Sequence, residues 1–255
     1  MRADTVVDER GTTDFGYERI PVTEKKRRVG HVFDSVADRY DVMNDLMSFG
    51  LHRLWKRQAL ALTGIRRGQQ VLDLASGTGD LALALARQVG PRGRVVASDI
   101  NLSMLSLGRD RLIDAGAAGT VDAVLADAEK LPFPDRSFDR VTIAFGLRNV
   151  TDKVAALAEM RRVLRPGGMV MVLEFSSVRI APLRPLYDAY SFRLLPLMGR
   201  LVANDADSYR YLAESIRMHP DQERLCELMT AAGLEDCNWH NLAGGIVAVH
   251  RGYVY

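Results

Sequence analysis

Cysteine is nearly absent: Cys226 and Cys237 are the only two in 255 residues, too few for a disulfide framework. Charge of one sign is lacking as well. The 34 Lys and Arg stand against 32 Asp and Glu, a formal net charge of +2, so whole-protein charge gives no grip on nucleic acid. No apolar run approaches the roughly 18 to 20 residues that span a bilayer, the densest being Leu81 to Ala86. Nor does a basic stretch followed by an apolar one open the chain, which predicts a cytoplasmic protein rather than an exported one. What remains is an ordinary globular composition, 47% hydrophobic and 26% charged. The length suits one large domain, or one domain with appendages.

Residues 1–23 are polar and Gly/Thr-rich without period and read as a mobile arm. They lead into the basic run Lys25 to Arg28. Residues 24–255 read as a single domain. Its N-terminal helices, within 24–66, are expected at about Glu24 to Tyr40 and Asp45 to Leu62. Short β-branched runs then alternate with helical patterns, the mark of a parallel α/β sheet. The runs are Gln70 to Ala75, Arg94 to Asp99, Val121 to Leu125, Phe138 to Ala144 and Met169 to Phe175. Helices are expected at about Asp80 to Val89, Ser103 to Ala115 and Thr151 to Val163, whereas the stretch from Leu125 to Phe138 reads as loop. Residues 176–220 interrupt the alternation and read as an insertion or lid. A helix at Asp221 to Ala232 and a hairpin turning at Gly244-Gly245 close the sheet with antiparallel strands.

Between the first run and the first helix lies Asp73-Leu74-Ala75-Ser76-Gly77-Thr78-Gly79-Asp80. A glycine turn there, at the carboxyl end of a strand, is where an α/β sheet takes ligands. Gly77 and Gly79 let the backbone come close to a ligand. Asp99 ends the second strand, where a carboxylate accepts from both ribose hydroxyls. Asp127 follows the third, where it accepts from an adenine amino group. The turn also satisfies a dinucleotide pattern, so an NAD-dependent oxidoreductase competes. Against it, Asp73 and Asp80 flank the loop with acid, which repels a pyrophosphate and suits a cationic ligand.

Asp73-x-Ala75-x-Gly77-Thr78-Gly79 with Asp99 and Asp127-Ala128 resembles the class I S-adenosylmethionine-dependent methyltransferases. More narrowly, three segments resemble the bacterial ubiquinone/menaquinone biosynthesis C-methyltransferases: Tyr40 to Lys56, Phe145-Gly146-Leu147-Arg148-Asn149-Val150-Thr151-Asp152, and Asn204 to Pro220. The likeness runs from about Thr12 to the last residue. It implies a Rossmann-like fold with a mostly parallel seven-stranded sheet, a final antiparallel strand, N-terminal helices and a helical insertion before the last helix. It also implies S-adenosylmethionine as cofactor, with contacts at Thr78, Asp99, Asp127, Ala128 and the position of Ala144. Ser76 stands where the family often has glycine. Ala144 stands where many members have serine, so a contact there falls to the backbone.

The resemblance implies methyl transfer to a ring carbon of a polyprenylated quinol, with peripheral contact to membrane lipid or to other quinone-biosynthesis enzymes. Another class I methyltransferase, acting on a small or lipidic acceptor, is the alternative. A non-enzymatic S-adenosylmethionine sensor would have no use for Arg148. Only the reduced ring is electron-rich, and a phenol with a pKa of about 10 must lose its proton to push density onto the ortho carbon. Arg148 is the candidate to stabilise the resulting oxyanion, with Asn149 orienting a ring oxygen. His52, His219 and His240 are candidate bases. The histidines and cysteines show no metal-ligand spacing, and both thiols read as buried. Arg179 to Arg200 mixes apolar, aromatic and basic residues and suits an interfacial lid, to which Lys25 to Arg28 would add attraction for anionic lipid.

Overall fold

The structure, a computed structural model, describes residues 11–37, 42, 44–45, 48–180, 182 and 206–255. Residues 1–10 of the expected arm, and residues 183–205 of the expected lid, lie outside the described residues.

Seven strands form one sheet in the order β5-β4-β3-β6-β7-β9-β8. They are β3 (Gln70–Leu74), β4 (Arg94–Asp99), β5 (Val121–Leu125), β6 (Phe138–Ala144), β7 (Leu164–Phe175), β8 (Glu235–Leu242) and β9 (Val247–Tyr253). All neighbours are parallel except β9, which is antiparallel to both β7 and β8. This is the expected α/β, Rossmann-like sheet. The chain builds β3, β4 and β5 outward and then returns to lay β6 on the other side of β3, so the crevice for a ligand opens at the carboxyl ends of β3 and β6. No helix separates β5 from β6, as the sequence predicts.

Alternation along the strands fills both faces. In β7, Met169, Met171 and Leu173 join one core with Trp55, Leu81, Leu85 and Val89. Val170 and Val172 join the other, with Leu157, Met160, Leu225 and Met229. A side-chain period of two therefore commits a single strand to two helical layers. One layer holds α2 (Leu51–Leu62), α3 (Asp80–Val89) and α4 (Leu102–Asp114). The other holds α5 (Lys153–Val163) and α7 (Gln222–Ala231). Side chains of Asn101, Asp152 and Asp221 cap α4, α5 and α7, each accepting one of the amides a helix start leaves open.

Two expectations for the N-terminal part are corrected. Thr12–Phe15 (β1) and Glu18–Pro21 (β2) pair antiparallel, so this part of the expected arm is a hairpin. Tertiary contacts hold it: Phe15 stacks on Tyr211 at 4.2 Å, and the Tyr17 amide donates to Glu214 on α6 (Ala206–Met218). Four-residue strands carry too little pattern to reveal this alone. The first helix, α1 (Val22–Val36), follows at once. Three of the four basic residues on it are engaged within the protein. Lys25 is buried and donates to the Val150 carbonyl, Lys26 pairs with Asp127 and Glu129, and Arg28 pairs with Glu18 and Glu24.

Candidate active site

Two cavities open at the carboxyl ends of β3 and β6 and meet at Ala75, Gly77 and Phe145. Local backbone shapes the junction. Ala75 and Phe145 both take positive φ, 49° and 56°, a strained conformation for non-glycine residues that tends to gather at functional sites. A Cβ on Gly146 would sit 2.4 Å from that of Ala75, so only glycine lets the turn after β6 close on the turn after β3. Gly77 and Gly79 take positive φ as expected.

The first cavity, open to solvent, spans about 850 Å³ of empty space. Asp99 stands on its wall at the end of β4, its Oδ2 accepting the Gly77 amide at 2.9 Å and its Oδ1 the Asn101 amide at 2.8 Å. Burial pushes its pKa up while these amides pull it down. Asp127 and Ala128 lie across the cavity. The Asp127 carboxylate is engaged by Lys26 and accepts the Glu129 amide, so it stands in the cavity as part of an ion pair. Val29, Gly30 and Phe33 of α1 close the cavity. Sequence reasoning missed α1 because its contribution is a surface made by docking.

The second cavity, about 650 Å³, is lined by Asp73, Ser76, Thr78 and Ala144, and by His52 and Lys56 from α2. Asp73 is 1% exposed. Its Oδ1 accepts from Thr142 Oγ1 at 2.7 Å, and burial pushes its pKa up to about 7. Asp80 is half exposed and lies 3.5 Å from Lys56. The acid flanking the loop is therefore not the bare negative pair expected: one carboxylate is buried with a raised pKa and the other is matched. Gly79 lines neither cavity. It takes the left-handed conformation before α3, with the Gly108 carbonyl 3.3 Å from where a Cβ would sit.

Arg148 also lines the second cavity, but not as an unpaired cation. Its Nη1 donates to both oxygens of Glu174, at 3.2 and 3.1 Å, and to the Phe145 carbonyl. Its guanidinium carbon lies 5.5 Å from the Phe175 ring centroid. Asn149 faces the first cavity instead, its Oδ1 accepting from the Tyr211 hydroxyl at 3.0 Å. The two residues expected to act together on one ring are thus divided between cavities, because consecutive residues of a tight 3₁₀ turn (Leu147–Asn149) point apart. Of the three candidate bases His52 alone lines either of these two cavities. His240 is exposed on the edge strand β8. His219 follows α6, with desolvation holding its pKa well below the ordinary value.

An orphaned buried polar atom marks a place where a partner is missing. Asp73 Oδ2, Ser76 Oγ, Arg148 Nε and His52 Nδ1 are all buried without a partner among the described residues, and all four residues wall the second cavity. The Asp73 and Ser76 atoms, beside the glycine turn, suit the charged amino-acid end of S-adenosylmethionine, while the first cavity offers Asp99 to a ribose. The residues present fit that cofactor.

Solved structures share the fold. An S-adenosylmethionine-dependent methyltransferase from Aquifex aeolicus superposes with a TM-score of 0.59 at 17% identity, over 78% of this chain and 89% of that one. The [4+2]-cyclase SpnF superposes at 0.61 with 22% identity, over 86% and 75%. A cyclase on this fold shows that the fold alone does not choose the chemistry. Sequence relatives are far closer. A protein of Azotobacter vinelandii is 62% identical over 241 residues, 94% of this chain and 95% of its own. One of Coxiella burnetii is 59% identical over 244 residues, 96% and 98%. Both carry the name ubiquinone/menaquinone biosynthesis C-methyltransferase UbiE. The pattern of the ubiE/COQ5 methyltransferase family matches residues 21–254, and this chain belongs to that family.

Proposed function

We propose that the protein is an S-adenosylmethionine-dependent C-methyltransferase acting on the ring of a polyprenylated quinol in ubiquinone synthesis, menaquinone synthesis or both. The observation that carries this reading is the pair of cavities joined at Ala75, Gly77 and Phe145, one fit for an adenosine and one holding unmatched polar atoms beside aromatic walls. The cofactor supplies an electrophilic methyl group. Asp99 and Ala128 hold its nucleoside, with Asp127 closing the site through Lys26. Asp73, Thr78 and the backbone at Gly77 and Ala144 hold its amino-acid end.

Phe145 and Phe175, their ring centroids 5.0 Å apart and their planes inclined by 44°, offer an apolar wall to a quinol ring. Arg148 presents its unpartnered Nε to a ring oxygen. Glu174 fixes that guanidinium but also cancels much of its field, so the residue acts as an oriented donor more than as a free charge. Asn149 orients from the other cavity, its amide held by Tyr211. Because methyl transfer is an in-line displacement, walls that fix the ring supply much of the rate.

A polyprenyl tail arrives from lipid. Among the described residues no helix is long and apolar enough to cross a membrane. At the start of α2, Leu51 and Leu54 are exposed next to Phe49, which is 72% exposed, and Arg57 and Arg53, the latter paired with Asp45, are exposed on the same helix. Apolar and cationic groups exposed along one short helix suit peripheral contact with an anionic bilayer. Arg179, at the start of the expected lid, is instead tied to Gln222 and Glu223.

Turnover tests the function: the purified protein should methylate a short-chain demethylated quinol kept reduced, and should stop when it is oxidised. Cells lacking the protein should accumulate the demethylated quinone, which names the ring. Methylation of the oxidised quinone would sink the mechanism. For the surface, the protein should co-sediment with anionic vesicles at low salt, and Leu54→Glu should reduce the bound fraction. Equal sedimentation of both forms would remove this face from the account.

A further inference from the structure

His52 and Asp45 form a hydrogen-bonded pair on the wall of the second cavity that the reaction as described leaves unused. His52 Nε2 lies 2.8 Å from Asp45 Oδ1. Asp45 is held ionised, its pKa lowered by the bonds from His52 and from Arg53, whose guanidinium grips it at 2.7 and 3.1 Å. An ionised carboxylate only accepts hydrogen bonds. Nε2 therefore carries the hydrogen, and Nδ1 carries a lone pair. Nδ1 is buried and without a partner.

We infer that His52 is the general base that takes the hydroxyl proton of the quinol, with Asp45 as the positioning residue that sets its tautomer; the inference rests on the quinol reading above. The same cavity holds Arg148, whose Nε is likewise buried without a partner among the described residues. An acceptor for the proton and a donor for the oxygen that loses it thus share one chamber. Both stand on rigid supports, α2 for His52 and the turn clamped by Glu174 for Arg148.

The step balances without an outside reagent. The O–H bond breaks and its proton goes to Nδ1, leaving the electron pair on oxygen. That pair, delocalised to the ortho carbon, forms the new carbon–carbon bond as the bond from methyl to sulfur breaks and its electrons stay on sulfur. The ring carbon then loses its own proton to solvent water, aromaticity returns, and His52 gives its proton back to the oxygen. One proton leaves per methyl transferred, and nothing is oxidised.

The charged groups around His52 set its readiness. Burial is the largest influence and lowers its pKa, Lys56 and Arg53 on its own helix lower it further, and Asp45 opposes them. From the packed elements, Asp73 faces the cavity on β3 and Arg148 on the turn after β6. Asp80 of α3 and Glu174 of β7 are taken up by Lys56 and Arg148 respectively. The imidazole is therefore neutral near pH 7 and able to accept a proton. Asp45 then stabilises the imidazolium that forms.

The kcat/KM of the reduced short-chain quinol, followed against pH, tests this. The wild type should lose activity on the acid side, below the ordinary histidine range, as one group protonates. His52→Ala should lose roughly 10²-fold or more in kcat, lose that acid limb and regain rate with added imidazole. His52→Gln should behave alike without rescue. Asp45→Asn should shift the limb to lower pH. Affinity for S-adenosylhomocysteine should stay within about twofold of the wild type in all three. Nitrogen NMR of the protein without ligands should show Nδ1 unprotonated on the Nε2–H tautomer. Near-normal turnover by His52→Gln, an acid limb that survives in it, or an Nδ1–H tautomer would overturn the base. If His52→Ala fails to fold, the glutamine variant and the NMR decide. No quinol turnover by the wild type would instead overturn the substrate reading.

Discussion

In the first cavity the protein answers its own charges: Asp99 accepts two backbone amides and Asp127 is clasped by Lys26. In the second, Asp73, Ser76, Arg148 and His52 each keep a buried atom without a partner. Both cavities share the same three junction residues. Asp73, Ser76 and Arg148 stand at the ends of β3 and β6, and what lies over each chamber adds to the difference. Over the first lies α1, which brings a lysine to the acid. Over the second lies α2, which brings His52 and aromatic bulk in Trp55, 6.4 Å from the Phe145 ring. The first chamber is organised in advance to read shape. The second leaves three ionisable side chains, Asp73, Arg148 and His52, with a buried atom that a ligand would relieve, where the first leaves the Ser98 and Thr151 hydroxyls.

Breaking the buried ion pair of the second chamber should have the largest effect on stability. Arg148→Ala would leave Glu174, 1% exposed, without its cation, at a cost of about 3 to 5 kcal/mol. Denaturant unfolding should show this, and Glu174→Gln in the same chain should recover part of it. A loss below 1 kcal/mol would mean that the backbone amides of Arg148 and Phe175, which also donate to Glu174, suffice to hold it.

Asp73 gives an effect of opposite sign. Its folded pKa of about 7 lies above its unfolded value of about 4, because burial disfavours the charged form. Below pH 4 both states hold the proton and there is no difference. As pH rises to 7 the unfolded state releases it first, so stability falls through that window and stays lower above it. Asp73→Asn should therefore stabilise the protein without ligand by about 2 to 4 kcal/mol at pH 8 and hardly at all at pH 4. Binding of S-adenosylhomocysteine to the wild type should release protons near pH 7, seen by calorimetry in buffers of different ionisation enthalpy. A stability difference that does not change with pH would contradict the buried, proton-holding carboxyl.

The first chamber should give the smallest change. Asp99→Ala should weaken S-adenosylhomocysteine binding by about 1 to 3 kcal/mol, measured by calorimetry, with no shift of proton release. An unchanged affinity would remove the ribose assignment and with it the contrast between the chambers.

Much of this was legible beforehand. β4, β5 and β6 fall where the β-branched runs lie, and the glycine turn with Asp99 marks the crevice, because local period and turn chemistry are properties of neighbouring residues. The hairpin at Thr12–Pro21 was not legible: its strands are short and polar, and their stability comes from Tyr211 and Glu214, about two hundred residues away. Nor was the division of Arg148 from Asn149, nor the pairing of Lys26 with Asp127, since two charges separated by 101 residues announce nothing to each other in the chain.

The sequence by itself determined the sheet, its switch point, the family and the residues that could carry chemistry. Only the tertiary structure decided which of them are spent on one another. A carboxylate, a guanidinium or an imidazole has the same formula everywhere. Whether it is matched, protonated or waiting for a ligand depends on burial and on partners brought from distant segments, and those exist only once the chain has folded.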